Sequence, residues 1–362
     1  MNLTLQKGTD PTTNQTIWLM LDEDYEVVMP IQQYLTFLTT TKSPNTVKSY
    51  GFDLKYWWEF LATKCLDWRE VNVSDMEDFA YWLRVGDTKV VSIQPVEAIR
   101  SERTVNHAIT AVTNFYDYHI ANKTVDFKRF ERFYMPHGIS RAGSKGLLTG
   151  IAKSKPVRQK LVKLKEKKKF PGCLKDEEVE TLADACNRLR DKLIILMLNG
   201  TGLRKGELLG LMHDDIGDFD QHYVRVVQRD NHPNGVRAKG QERTIPVIPE
   251  LLKMYNDYLI YEYPDTDSGY VFVNIWEGEN IGQPMNPYVL NTMFRRLSEK
   301  TGIHVYPHLF RHTYATRLLK AGYAPERVKY LLGHRSIQTT LDVYSHVINE
   351  ANLWEVIRDE EE

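Results

Sequence analysis

The chain has 362 residues, 42% of them hydrophobic, enough for two domains with separate cores, and contains no run near the roughly 20 apolar residues of a membrane span. The polar stretch Met1 to Thr16 lacks the charged-then-apolar order of a secretory signal, and three scattered cysteines (Cys65, Cys173 and Cys186) fit buried thiols in a reducing, cytoplasmic setting rather than a disulfide framework or a metal site. The formal net charge of -1 excludes a uniformly basic nucleic-acid binder, so any attraction to phosphate must come from local patches.

In chain order, residues 17 to 28 predict a short hairpin: an apolar run from Ile17 to Leu21, an acidic turn, then Tyr25 to Val28. A helical region follows. Ser43-Pro44 is an N-cap followed by proline at the first helical position. Behind it Val47, Tyr50, Leu54, Trp57, Trp58 and Leu61 recur at helical spacing on one face. Ser74 is the expected cap of the next helix, with Asp75, Glu77 and Asp78 at the positive end of its dipole. A further helix is expected from about Ser101 to His119. The whole predicts a small helical domain over 29–128. Its outer faces carry Lys48, Lys55, Arg103 and Asn106, which suit DNA contact but equally an ordinary solvated surface.

Residues 129–170 read as a basic linker. From Arg141 to Lys169 the only acid is Glu166, and bases crowd at Lys163, Lys165, Lys167, Lys168 and Lys169. Glycines and prolines in the same stretch suit a connector better than a packed layer. It is either a phosphate-tracking segment or a solvated tether. A second domain is expected over 171–350. Asp176-Glu177-Glu178 opens a helix, Leu193 to Leu198 is a buried run, and Asn199 to Gly202 breaks it. Tyr223 to Val227 and Arg243 to Val247 read as strands around a polar turn region. A tail over 351–362 carries Leu353, Trp354, Val356 and Ile357 ahead of an acidic end. The fold class is thus mainly α with a small β-sheet, an α+β chain.

Four segments concentrate the chemistry. In Thr201-Gly202-Leu203-Arg204-Lys205-Gly206-Glu207-Leu208 an arginine follows a glycine break. This is not a phosphate loop, for it lacks the length and the trailing Lys-Ser/Thr. In Pro307-His308-Leu309-Phe310-Arg311-His312, His308 and Arg311 share a helix face and could hold one phosphate together. His308 and His312 have zinc-ligand spacing, but the intervening residues lack the metalloprotease glutamate and Arg311 would repel a cation. His334 falls at a glycine break in Leu331-Leu332-Gly333-His334. Tyr344 follows ten positions later.

Together these segments resemble the tyrosine recombinase family of the phage-integrase kind, and the connector and the stretch from Asn234 to Pro246 resemble its transposon-encoded transposase A branch. The resemblance implies a helical core-binding domain, a catalytic domain, and a site-specific recombinase that cuts and rejoins DNA through a 3′-phosphotyrosine. It assigns Arg204, with Glu207 as its supporting acid, and His308, Arg311 and His334 to the phosphate, and Tyr344 as nucleophile. Lys239 matches the family's hairpin lysine, with Arg237 and Lys205 as rivals for that role. Tyr314 and Tyr330 compete with Tyr344 on position alone, but both read as core residues. The family implies double-stranded DNA as partner, a homotetramer on paired sites, accessory DNA-binding proteins in some systems, a nucleoid-associated location and neither metal nor ATP. A type IB topoisomerase shares the same constellation, and a DNA-binding regulator without catalysis is a further alternative.

Overall fold

The computed structural model describes residues 2–14, 16–86, 98–126, 134–135, 159–160, 162–166, 172–218, 220–229, 232–236, 241–334 and 336–343. The chain divides into two compact units, Met1–Lys168 and Lys169–Glu362.

The first unit opens with strands β1 (Thr4–Thr9) and β2 (Thr16–Leu21), paired antiparallel from Thr4 opposite Leu21 to Thr9 opposite Thr16. This corrects the expected hairpin. Ile17 to Leu21 is a strand, but it pairs backwards with a polar segment, and only an isolated bridge joins Leu21 to Val27. The reason is tertiary. Leu3 and Met20 are fully buried, and Leu5 leans on Gly51, where a Cβ would lie 2.8 Å from the leucine Cδ1. A glycine inside a helix thus seats the hairpin on it.

Four helices build the rest: α1 (Met29–Thr41), α2 (Pro44–Lys64), α3 (Val73–Val85) and α4 (Glu102–Ala121). Ser43 and Ser101 cap α2 and α4 through their hydroxyls, as expected. Ser74 does not cap α3. Asn72 does, in a reciprocal box with Asp75, because it sits at the last extended residue and accepts from Ser74 and Asp75 backbone N–H groups. The core is aromatic: Trp57, Phe60, Phe79 and Phe115 are wholly buried. At its edge Trp57 Nε1 donates to Tyr116 Oη (3.1 Å), which donates to the Trp68 carbonyl (2.8 Å).

Part of the connector belongs to this unit. Val162 and Leu164 pack against its core, while Lys163 and Lys165 between and beside them are exposed. Asn106 treats the segment as a strand, donating to the Leu164 carbonyl (2.9 Å) and accepting from its N–H (2.8 Å). Residues 162–166 are therefore packed rather than a free tether, and Asn106 is committed to them. The remaining connector structure described is a two-residue antiparallel pair, β3 (Tyr134–Met135) with β4 (Gln159–Lys160).

The second unit contains α5 (Asp176–Asp184), α6 (Leu189–Thr201), the single turn α7 (Lys205–Leu208), strands β5 (Tyr223–Val226) and β6 (Arg243–Pro246), then α8 (Pro249–Tyr261), α9 (Pro287–Thr301), α10 (Pro307–Lys320) and α11 (Pro325–Leu332). Helix α6 lies at the centre, packed by α5, α8 and α10, which is why Leu193, Ile194, Ile195, Met197 and Leu198 are all buried. It runs through the expected break at Asn199-Gly200-Thr201 and stops at Gly202, in the left-handed region at φ 62°. Strands β5 and β6 pair antiparallel with Val224 opposite Ile245. The cysteines depart from expectation: Cys65 and Cys173 are exposed and Cys186 is half-buried. Among the described residues no helix is long and apolar enough to cross a membrane.

Candidate active site

The site is assembled where α6, α7, β6, α10 and α11 meet. Gly202 turns the chain out of α6. A Cβ there would lie 2.6 Å from Tyr314 Cδ1, so both the backbone angle and the close approach of α10 require glycine. Two residues on, Arg204 caps α7. Its N–H donates to Glu207 Oε2 (2.9 Å) and its Nη1 to Glu207 Oε1 (2.7 Å).

Glu207 is fully buried and serves a second guanidinium. Arg243, at the start of β6, donates from Nη2 to Oε2 (2.8 Å) and from Nη1 to Oε1 (3.1 Å). Burial alone would raise the carboxyl pKa, but the bonds from Arg243 and Arg204 more than offset it, so Glu207 stays below the usual carboxylate range.

The free carbonyls ending α11 hold all three arginines. The Leu331 carbonyl accepts from Arg243 Nε (2.7 Å), that of Leu332 from Arg311 Nη2 (2.5 Å) and Arg204 Nη1 (3.4 Å), and that of Gly333 from Arg204 Nη2 (2.9 Å). A helix C-terminus carries unsatisfied acceptors and partial negative charge, so it suits guanidinium groups. Arg311, on α10, completes its bonding to the Gly202 carbonyl (2.9 Å). It is 3% exposed and, among the described residues, has no carboxylate of its own. Burial, then repulsion from Arg204 and Arg243 against the pull of Glu207, lowers its pKa to about 9. Among the described residues three guanidiniums thus share one carboxylate, leaving a surplus of positive charge.

His308 sits one turn before Arg311 on α10, and its ring remains partly open to solvent. Burial of its inner side, then Arg311 and Arg204, lowers its pKa. His334 follows the left-handed Gly333 that ends α11 and is held by Nδ1 against the buried Thr340 hydroxyl (2.9 Å). Burial first, then Arg311, Arg204 and His308, push it down to about 3, so its ring is neutral in the absence of an anion.

Comparison with known proteins agrees with this arrangement. The phage integrase family matches residues 173–350, and the phage integrase N-terminal SAM-like domain matches residues 31–123. Transposase A from transposon Tn554 of Staphylococcus aureus is 36% identical over 338 residues, covering 92% of this chain and 91% of that protein. The chain belongs to the phage integrase family of tyrosine recombinases. Members of this family cleave and rejoin DNA, and this recombinase is similar as well to the tyrosine recombinase XerC of Staphylococcus saprophyticus, 28% identical across 88% of this chain and 93% of that one. Its fold is that of the Tn1549 transposon integrase, solved in complex with circular intermediate DNA, with a TM-score of 0.59 at 21% identity over 87% of this chain and 94% of that one.

Of the recombinase residues expected from sequence, Arg204, Glu207, His308, Arg311 and His334 are brought to one centre. Tyr344, Lys239 and its rival Arg237 lie outside the described residues, as do Lys167, Lys168 and Lys169. The other rival, Lys205, is bonded to Asn291 Oδ1 (3.3 Å) on α9. Tyr314 packs over Gly202, and burial pushes its phenol up to about 12, in keeping with a core residue. Tyr330 does not: it is 53% exposed, since it lies on the outer face of α11 away from Val328, Leu331 and Leu332. Among the expected DNA contacts, Lys48 is exposed over the Trp18 ring (5.2 Å), Arg103 is exposed, and Lys55 pairs with Glu59 (3.6 Å). Sequence reasoning missed Arg243 and Thr340. Arg243 opens β6, where it shares the inward face with Ile245, opposite Val226 and Val224 of β5, and an arginine in such a register is the signal that was available.

Proposed function

We propose that this chain is a transposon-type site-specific recombinase in which Tyr344 attacks a DNA phosphodiester held by Arg204 and Arg311. The observation that carries this reading is the surplus of guanidinium at the centre: among the described residues, three arginines with one carboxylate, all three also held by the carbonyls that end α11. A phosphodiester supplies the missing anion, and its charge grows in the transition state, where fixed donors act most strongly. His334, oriented by Thr340, donates a further hydrogen bond.

A tyrosine with a pKa near 10 is about one part in a thousand ionised at neutral pH. The neutral ring of His308 accepts the phenol proton as the Tyr344 oxygen bonds to phosphorus. The bond from phosphorus to the 5′ oxygen breaks, and that oxygen takes a proton from Lys239. One phosphoester replaces another, so the step is nearly energy-neutral and reverses when a 5′ hydroxyl returns. Glu207 acts through Arg204 by fixing its plane. Two duplex sites and four subunits give the exchange its symmetry, in a nucleoid-associated protein with accessory DNA-binding proteins as further partners.

A nicked suicide substrate tests the reading. The wild type should form a covalent adduct in EDTA without ATP, mapping to a 3′-phosphate on Tyr344, and Tyr344→Phe should form none. Adduct formation by Tyr344→Phe at the wild-type level would overturn the assignment.

A further inference from the structure

One titratable pair in the first unit has no part in this chemistry. Asp53, on α2, is 8% exposed, and its Oδ2 lies 2.7 Å from Nδ1 of His107 on α4. The His107 side chain is 48% exposed. The Tyr50 ring, one turn earlier on α2, stands edge-on to the imidazole at 5.7 Å and takes a hydrogen bond from Asn114 (3.2 Å). The pair therefore has an inner carboxylate, a framed ring and an outer edge. A carboxylate at Nδ1 keeps a proton on that nitrogen and leaves Nε2 for another partner. Burial holds the Asp53 carboxyl up at about 6 against the lowering effect of His107, which is the sign of an acid with few other partners.

The setting indicates what that partner is. His107 follows Asn106, the residue that clamps Leu164, so the exposed Lys163 and Lys165 flank the same place. Arg103 is exposed one turn earlier on α4. Glu166 is the one acid in residues 162–166, and it is bonded to Asn106 Nδ2 (2.8 Å). We propose that His107 is a DNA-phosphate contact, aimed outward by Asp53 at the centre of a cationic surface formed with Arg103, Lys163 and Lys165. This rests on the recombinase reading above. To donate from Nε2 while Nδ1 donates to Asp53, the ring must carry both protons. Phosphate on one side and carboxylate on the other both accept from such a ring.

The test is binding of a fluorescent duplex of arbitrary sequence to the full chain, across a range of salt concentration. Each phosphate contact contributes about 0.9 to the slope of log K against log salt. The double variant Asp53→Asn/His107→Gln avoids stranding a buried carboxylate. It should keep the wild-type thermal midpoint and show a slope shallower by about 0.9. Asp53→Asn/His107→Lys should restore the slope. An Asp53→Asn/His107→Gln variant that matches the wild type in slope overturns the inference while leaving the recombinase reading intact. A wild type that binds no duplex and forms no adduct overturns both.

Discussion

Arg243 and Glu207 form a doubly bonded ion pair with no solvent exposure of either side chain, and the pair joins β6 to α7. Arg243 also reaches the Leu331 carbonyl, so one guanidinium ties together three elements of the site. Removing one partner of a buried pair strands the other charge and costs about 3–5 kcal/mol. Glu207→Gln should therefore lower the stability of the second unit by that order, measured by urea unfolding, and should also loosen Arg204. The pH dependence has a definite sign. The folded pKa of Glu207 is depressed, so its contribution is present above the unfolded value near 4.5 and is lost as pH falls through the folded one. Wild type and variant should converge in acid. A constant difference down to pH 3 would count against the pair as the source.

His334 offers a second pH readout. Its folded pKa of about 3 lies below the model-compound value of 6.5, so between the two the unfolded chain binds the proton and the folded chain does not. Stability should fall as pH drops from 6.5 towards 3, and His334→Gln should remove that part of the fall. In the DNA-free protein the His334 ring resonances should not titrate between pH 8 and pH 5. A midpoint near 6.5 would show that the ring is open to water and not seated against Thr340.

Much of this centre was legible in the sequence, and the reasons are local. Arg204 follows a glycine that must end a helix, and His308 and Arg311 share a face three positions apart. What was not legible is set by tertiary contacts. Arg243 looks like an ordinary strand residue until α7 and α11 place a carboxylate and a carbonyl beside it. The strand Thr4–Thr9 has almost no apolar alternation and exists because Leu3 and Leu5 find a groove at Gly51. Asn72 and Ser74 both offer capping side chains, and two residues of helix length decided between them. The basic connector was read from composition, which hides the inward alternation of Val162 and Leu164.

Gly333 is where backbone and site constrain each other most closely. Its φ is 64°, and a Cβ would lie 2.6 Å from Arg243 Nη1. Gly333→Ala should cost about 1 kcal/mol from the left-handed backbone alone. It should also displace the Arg243 guanidinium from Glu207, and move the carbonyl that holds Arg204. Adduct formation on the suicide substrate should then fall by more than the loss of folded protein explains. Equal losses in activity and in folded fraction would confine the effect to stability.

The excess of guanidinium over carboxylate makes a prediction that needs no DNA. Arg311 is buried with only carbonyl partners, and its charge is held against repulsion from Arg204 and Arg243. An oxyanion at this centre relieves that repulsion, so sulfate should bind the folded state and stabilise it. At ten times its dissociation constant a single-site anion contributes about 1.4 kcal/mol. For a unit of this size that corresponds to a rise of about 3–6 °C in thermal midpoint. Chloride at matched ionic strength controls for general salt effects. Arg311→Met removes the central charge and leaves the carbonyls of Gly202 and Leu332 without that donor, so its midpoint without sulfate will shift for two opposing reasons. The diagnostic quantity is the increment: sulfate should raise the midpoint of the wild type and have little effect on Arg311→Met. Equal increments in the two proteins would mean that the anion acts elsewhere, and that Arg204 and Arg311 do not form the phosphate clamp.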